Sequence, residues 1–375
     1  MHNNFYNLKK LKVYILTAHS HNGLDWVHSL FDSHKEILIL PGFSFMRTIK
    51  KFRIDLPNFD NLKIAHYLST IFYKQKGYKL PRRNFIKTLK QKKFFENKML
   101  FYLNKSDEKN IYKKTFYSIH YAFVELYNID ISKKKIIISQ EHVSWHCEFY
   151  EKILNPTFLF VIRDFRAAFA GSLKAGSRMN KIKKITSDQF DKVLINWILG
   201  TKFISKLRKL KKKNYHFILN EKMNFELEKQ IRILCKNINI TFSKKLLKQT
   251  FMNKEWFGES SYMMYDKSKG TDLKKKAPKS YYKLENVKKR WRSFLTKKEV
   301  NIFNAFFNSE LKYFKYTKEN ISYLRYLASL IQLNFIYLKQ DNYFFNSYII
   351  IIRNIIRRFL IINFPKISIK LFNIY

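Results

Sequence analysis

Residues able to do chemistry gather at three places in this chain of 375 residues. The first is Thr17-Ala18-His19-Ser20-His21-Asn22-Gly23-Leu24-Asp25-Trp26. It joins the apolar run Val13–Ala18 to a segment in which Leu24, Val27, Leu30 and Phe31 recur at helical spacing. A short loop feeding a helix is a ready anion site, because the first-turn N–H groups have no partner within the helix. Ser20 or Asn22 could instead cap an ordinary helix. Asp25 suits the helix dipole but repels a phosphate. The Gly-Lys-Ser/Thr ending of a Walker A loop is missing. The second place is Arg163-Asp164-Phe165-Arg166, directly after the apolar run Phe158–Ile162 and followed by Gly171-Ser172. An Arg at the end of a strand can grip a phosphate with two parallel hydrogen bonds. It can equally form a rim salt bridge with an Asp. The third is Glu141-His142, after the run ending at Ser139. His142 suits a general base, since a histidine's ordinary pKa lies near neutrality, with Glu141 as the alternative. A hydrogen-bonded loop histidine is the plainer reading of His142.

These residues need a frame that brings them together. Four short β-branched or apolar runs read as buried parallel strands: Val13–Ala18, Lys135–Ser139, Thr157–Ile162 and Tyr215–Leu219. Helical patterns follow the first and third. The pattern predicts a doubly wound α/β domain over 1–318, a central parallel sheet with flanking helices, and ligands bind at the carboxyl ends of such strands. A Lys- and aromatic-rich helical insert covers about 70–135. Residues 180–212 read as helix. From 319 to 375 the character changes: Arg353, Arg357 and Arg358 punctuate an Ile- and Phe-rich stretch. That basic amphipathic tail either packs on the domain or touches a membrane surface through 343–375.

Composition narrows the class. A hydrophobic fraction of 46% and an aromatic fraction of 17% exclude a disordered chain. Two cysteines, Cys147 and Cys235, exclude a disulfide scaffold. There is no secretory signal pattern and no uninterrupted apolar run of about 18 residues, so a cytoplasmic protein is expected, peripheral at most to the inner membrane face. The net charge of +45 points at first to nucleic acid. The excess, however, is 58 Lys against 15 Arg, spread along the whole chain. It accompanies an abundance of Ile, Asn, Phe and Tyr, all with A/T-rich codons. No helix-turn-helix, zinc or RRM pattern appears, so nucleic-acid binding stands as the alternative class.

The segments, taken in order, resemble the PAPS-dependent sulfotransferase family, with its P-loop nucleotide-kinase-like fold. The family's opening signature, a strand and then Arg/Lys-Ser-Gly-Thr-Thr-Leu/Trp and a helix, is similar to His21-Asn22-Gly23-Leu24-Asp25-Trp26, followed by Leu30-Phe31-Asp32-Ser33-His34. Its Arg-Asp-Pro-Arg block with a later Ser resembles Arg163-Asp164-Phe165-Arg166 and Ser172. A later strand with an acidic turn resembles Phe217 to Met223 around Asn220-Glu221. Its Trp-x-Gly-x-Ser-Ser segment looks like Trp256 to Ser261. Its closing Arg-Trp-Arg element looks like Arg290-Trp291-Arg292 with Leu295-Thr296 and Glu299. The match covers about residues 10–318. His21 replaces the loop cation, Leu24 and Asp25 the paired Thr, Phe165 the Pro, and Gly171 stands where the family has its Ser.

The resemblance implies 3′-phosphoadenylyl sulfate (PAPS) as donor and no metal. It places the 5′-phosphosulfate over Ser20, His21, Asn22, Gly23, Leu24, Asp25 and Trp26. The 3′-phosphate falls to Arg163 and Ser172, with Lys288, Lys289 or Arg290 closing over it. His142 is then the catalytic base, Glu141 its alternative, and His21, if protonated, a cation for the leaving phosphate. The acceptor would be a hydroxyl or amine, perhaps of a glycan or lipid-linked sugar. An inactive sulfotransferase-like fold is a further alternative.

Overall fold

A computed structural model describes residues 2–19, 21–73, 85–179, 187–210, 214–255, 265–266, 271–272, 290–293, 295–335 and 347–372. A helix α1 (His2–Lys10) precedes β1 (Lys12–Ala18), which leads to α2 (Leu24–Phe31) and β2 (Ile37–Ile39). Then come α3 (Phe45–Lys51), α4 (Asn61–Tyr73), α5 (Leu89–Lys105), α6 (Ile111–Leu126) and β3 (Ile136–Glu141). After α7 (Cys147–Leu154) and β4 (Thr157–Ile162) follow α8 (Phe165–Met179), α9 (Ser187–Lys209), β5 (Tyr215–Leu219), α10 (Asn220–Phe225) and α11 (Leu227–Ile238). Further helices span Lys297–Phe306, Asn308–Tyr313, Tyr323–Phe335, Ser347–Asn363 and Pro365–Leu371.

The five strands form one parallel sheet in the order β2-β3-β1-β4-β5. Both faces are buried, and the two-residue period of a strand divides the side chains between two cores. Val13, Ile15, Phe158, Phe160 and Ile162 enter the larger core, with Phe169 and Trp197 from α8 and α9. Tyr14, Leu16, Leu159 and Val161 enter the smaller, with Val27 and Phe31 of α2 and Ile231 and Leu234 of α11. Each such side chain contributes about 1.5–3 kcal/mol by leaving water.

This division positions the site. The helix leaving β1 packs on one face, and those leaving β3 and β4 pack on the other. β1 and β4 are neighbours whose chains diverge to opposite faces, and a parallel sheet has its ligand crevice at the carboxyl ends of such a pair. Between about 70 and 135 lie α5 and α6, packed with the preceding α4, and Phe72, Phe95 and Phe116 of these helices join the larger core.

The last helices pack on the domain through basic residues, one of the two readings of the tail. Arg357 and Arg358 turn inward onto α9. Arg358 Nε lies 3.0 Å from Asp191 Oδ1 and Arg357 Nε 3.2 Å from Asp191 Oδ2, and both Arg358 and Asp191 are fully buried. Arg358 Nη1 also donates to the Leu333 carbonyl. The basic residues therefore fasten this helix to the domain. Among the described residues, no helix is long and apolar enough to cross a membrane.

Candidate active site

The loop after β1 is shaped by two left-handed residues, His21 at φ 63° and Gly23 at φ 87°. The second position requires glycine: a Cβ there would stand 2.3 Å from Asn220 Nδ2. No side chain caps α2, and a helix start of this kind favours an anion. Asn22 is fully buried, and its Nδ2 donates to the Val161 carbonyl on β4 at 2.9 Å. Asn220 Nδ2 donates to the Asn22 carbonyl at 2.9 Å. Leu24 is buried in the smaller core, and Trp26 is half-buried against it.

Arg163 leaves the end of β4 beside this loop, and its Nη1 donates to the His21 carbonyl at 3.3 Å. Its Nε is buried and has no hydrogen-bond partner among the described residues. The salt bridge of this block belongs to the other arginine. Arg166 grips both oxygens of Asp164, at 2.9 and 2.7 Å, donates to Asn304 Oδ1 and the Tyr316 carbonyl, and lies 4.5 Å over the Trp291 ring. Glu221 accepts from the Asp164 N–H at 2.9 Å and from Tyr316 Oη at 2.6 Å. Burial raises the pKa of Glu221 despite these donors.

Ser172 and its neighbour Gly171 lie in α8. The Ser172 hydroxyl is buried and donates to the Ala168 carbonyl of its own helix at 3.0 Å. Gly171 is where α8 meets the loop, since a Cβ there would come 3.0 Å from His21 Cβ. His21 is open to solvent yet crowded by protein. That crowding, with the Arg163 guanidinium and His142 adding to it and Asp25 opposing, holds its pKa down at about 4. A pKa that low favours the neutral ring at pH 7, a hydrogen-bonding group more than a fixed charge.

On the far side of β1, His142 follows β3. Its Nε2 lies 3.3 Å from Asp25 Oδ1 in the first turn of α2. Gln140 Nε2 donates to the same Asp25 oxygen at 2.6 Å and contacts His142 Nε2. Glu141 points the opposite way and is fully buried. It accepts from Ser44 Oγ at 2.8 Å, Tyr150 Oη at 3.0 Å, and the Val143 and Arg47 N–H groups, with His146 Nδ1 at 3.3 Å. Burial alone would raise its pKa, but His146 and the donors outweigh it and leave it below the usual carboxylate value. Ser44, the N-cap of α3, also accepts from the His142 N–H at 3.3 Å.

The crevice thus gathers His21, Asn22, Gly23, Asp25, Arg163 and His142. Glu141 faces a sealed compartment, and the Ser172 hydroxyl is engaged within its helix. Ser20, Lys288, Lys289 and Trp256 lie outside the described residues, as does the side chain of Arg290, which opens a short turn, Arg290–Ser293. Among the described residues no group of three His, Cys, Asp or Glu could hold a metal ion.

No family model matches the chain, and no curated protein matches it. Solved structures do align with it. The sulfotransferase domain of the Synechococcus PCC 7002 olefin synthase matches at 11% identity, over 77% of this chain and 90% of that one, with a TM-score of 0.43. The sulfotransferase domain of the curacin biosynthetic pathway matches at 10% identity, over 86% and 97%, with a TM-score of 0.46. Sulfotransferase STF9 from Mycobacterium avium matches at 11% identity, over 83% and 79%, with a TM-score of 0.42.

Gln140 and Ser44 were not singled out by the sequence. Gln140 stood two residues before His142 and carried a signal only in its alternation with that residue. Ser44 carried only the pattern of an N-cap.

Proposed function

We propose that the chain is a sulfotransferase that moves a sulfuryl group from 3′-phosphoadenylyl sulfate to a hydroxyl or amine, with a glycan or lipid-linked sugar as the acceptor class. One observation carries this reading. Motifs far apart in sequence are tied together by hydrogen bonds at one crevice: Arg163 to His21, Asn22 to Val161, Asn220 to Asn22, and Glu221 to Asp164. Two features support a nucleotide anion as the ligand: α2 starts without a side-chain cap, and the buried Arg163 Nε has no acceptor among the described residues.

The loop from Ser20 to Trp26 holds the donor's 5′-phosphosulfate. Arg163 holds the 3′-phosphate, with Ser172, Lys288, Lys289 and Arg290 as its remaining partners. When bound, the donor supplies the sulfuryl group and a phosphate as leaving group. The protein's part is mostly positioning and charge stabilisation. His142 takes the acceptor's proton at Nε2, giving up its contact with Gln140. Asp25, 3.3 Å away, stabilises the imidazolium that forms. Glu141 supports this base from behind: its carboxylate fixes Ser44, which fixes the His142 backbone. Neutral His21 contributes a hydrogen bond, and Arg163 the positive charge.

A second reading, a donor-binding but inactive relative of this fold, is favoured by Asp25 and neutral His21 in a loop where the family carries a cation. Calorimetric titration with 3′-phosphoadenosine 5′-phosphate tests both. Saturable binding at micromolar ligand, weakened at least about tenfold in Arg163→Ala, is expected. No binding by the wild type sinks the enzyme reading. Equal binding by Arg163→Ala sinks the site. Binding without transfer of labelled sulfate to any hydroxylated acceptor favours the inactive relative.

A further inference from the structure

The last helices carry an apolar surface that the domain does not use. With Arg357 and Arg358 turned inward onto Asp191, the helix Ser347–Asn363 presents Ile352, Ile356 and Phe359 outward, each more than half exposed (56%, 54% and 55%). The spacing i, i+4, i+7 places them in one row along the helix. The helix Pro365–Leu371 continues with exposed Ile367 and Leu371, and Tyr323–Phe335 adds exposed Leu324. Soluble monomers seldom leave so many large apolar groups outward on adjoining helices. Along this row the usual arrangement is inverted, since Arg357 and Arg358 face the protein while Ile352, Ile356 and Phe359 face out.

Charge says what covers this surface. Residues 323–335 and 347–372 contain no Asp or Glu. Exposed Arg353 lies beside the apolar row, and exposed Lys366 reaches back to Glu148 at 2.5 Å. The chain as a whole carries +45, so a second copy of it would be repelled. An anionic bilayer would be attracted, and its interface accepts large aliphatic and aromatic groups.

We infer that these helices dock the protein onto an anionic membrane surface, with the row Ile352–Ile356–Phe359 inserted among the headgroups and acyl chains. The inference is independent of the proposed chemistry, because none of these residues belongs to the crevice.

Co-sedimentation with phosphatidylglycerol/phosphatidylcholine vesicles tests it, alongside vesicles of phosphatidylcholine alone. The variant Ile352→Ser/Ile356→Ser/Phe359→Ser changes only exposed side chains, and circular dichroism checks that it folds. The wild type should bind the anionic vesicles and keep a salt-resistant fraction. The variant should bind at least about tenfold more weakly, while nucleotide binding is unchanged. In Phe359→Trp, brominated acyl chains should quench the new fluorophore. The inference is overturned if the wild type does not bind, if the variant binds equally, or if salt removes all binding from both. A concentration-dependent dimer that the variant abolishes, without vesicle binding, assigns the face to a second copy and equally overturns it.

Discussion

Replacing Gly23 by Ala tests the architecture of the crevice at its tightest point. The backbone there sits at φ 87° and ψ 22°, which costs a residue with a Cβ about 1–2 kcal/mol. The new methyl would also stand 2.3 Å from Asn220 Nδ2, so Asn220 must move. Its bond to the Asn22 carbonyl is then lost, at about 0.5–1.5 kcal/mol. The sum is about 2–3 kcal/mol. For 375 residues the unfolding entropy near 60 °C is roughly 0.8 kcal/mol/K, so Tm should fall about 3–4 °C. Displacing the loop also re-aims the first N–H groups of α2, so affinity for 3′-phosphoadenosine 5′-phosphate should drop more than about tenfold. In an Asn220→Ala background the obstructing amide is gone. There Gly23→Ala should cost only its backbone part, about 1–2 kcal/mol and 1–2 °C. Scanning calorimetry and nucleotide titration of the four proteins read both quantities. If Gly23→Ala costs the same in both backgrounds, the Asn220 clamp is not what the loop leans on. Wild-type ligand affinity in Gly23→Ala would refute the anion site itself.

Three other outcomes follow from the same structure. His142→Ala should lower kcat by about 10²–10⁴-fold while nucleotide affinity stays within about twofold; turnover near the wild-type rate clears His142 of the role of base. Asp191→Ala leaves buried Arg358 without its counter-charge, which should cost about 3–5 kcal/mol and expose the final helices to limited proteolysis; an unchanged cleavage pattern would mean that the pair does not fasten them. Glu36 is held at a pKa of about 2: burial would raise it, but Lys135 and the Thr241 donors outweigh that. Its contribution is therefore present above the unfolded value of 4.5 and lost as pH falls through about 2. Urea unfolding should show Glu36→Gln about 2 kcal/mol less stable than wild type at neutral pH, with the gap closing between pH 4.5 and 2; a gap constant with pH would refute the linkage.

The frame was legible where a strand is long enough to show its pattern. Thr157–Ile162 and Tyr215–Leu219 are strands with the bounds their apolar runs suggest, and β1 differs by one residue. β3 runs on to Glu141, which makes that residue a strand end pointing into a core. β2 has three residues, too few for any alternation to register. The site was legible as residue types but not as a network. Asn22 and Asn220 look like ordinary loop polar residues until folding places one's amide on the other's carbonyl across 198 positions. The tail left two readings open for a related reason. Arg357 and Arg358 look like a solvated basic face, because the Asp191 that draws them inward lies far upstream. Local periodicity shows that a helix is amphipathic, but not which side the rest of the chain will claim.

The strand order carries a consequence for how the protein is made. β1 is the central strand, and its partners come late: Lys12 pairs with Ile136, and Tyr14 with Thr157. During synthesis, β1 must wait until residues up to about Ile162 have left the ribosome before both its edges are satisfied. Such long loop closures slow folding and leave apolar strands exposed meanwhile. The helices between, α4, α5 and α6, pack on one another through local contacts and can form first. The topology therefore makes β1 depend on strands synthesised well over a hundred residues later, and the site between β1 and β4 requires both to be paired.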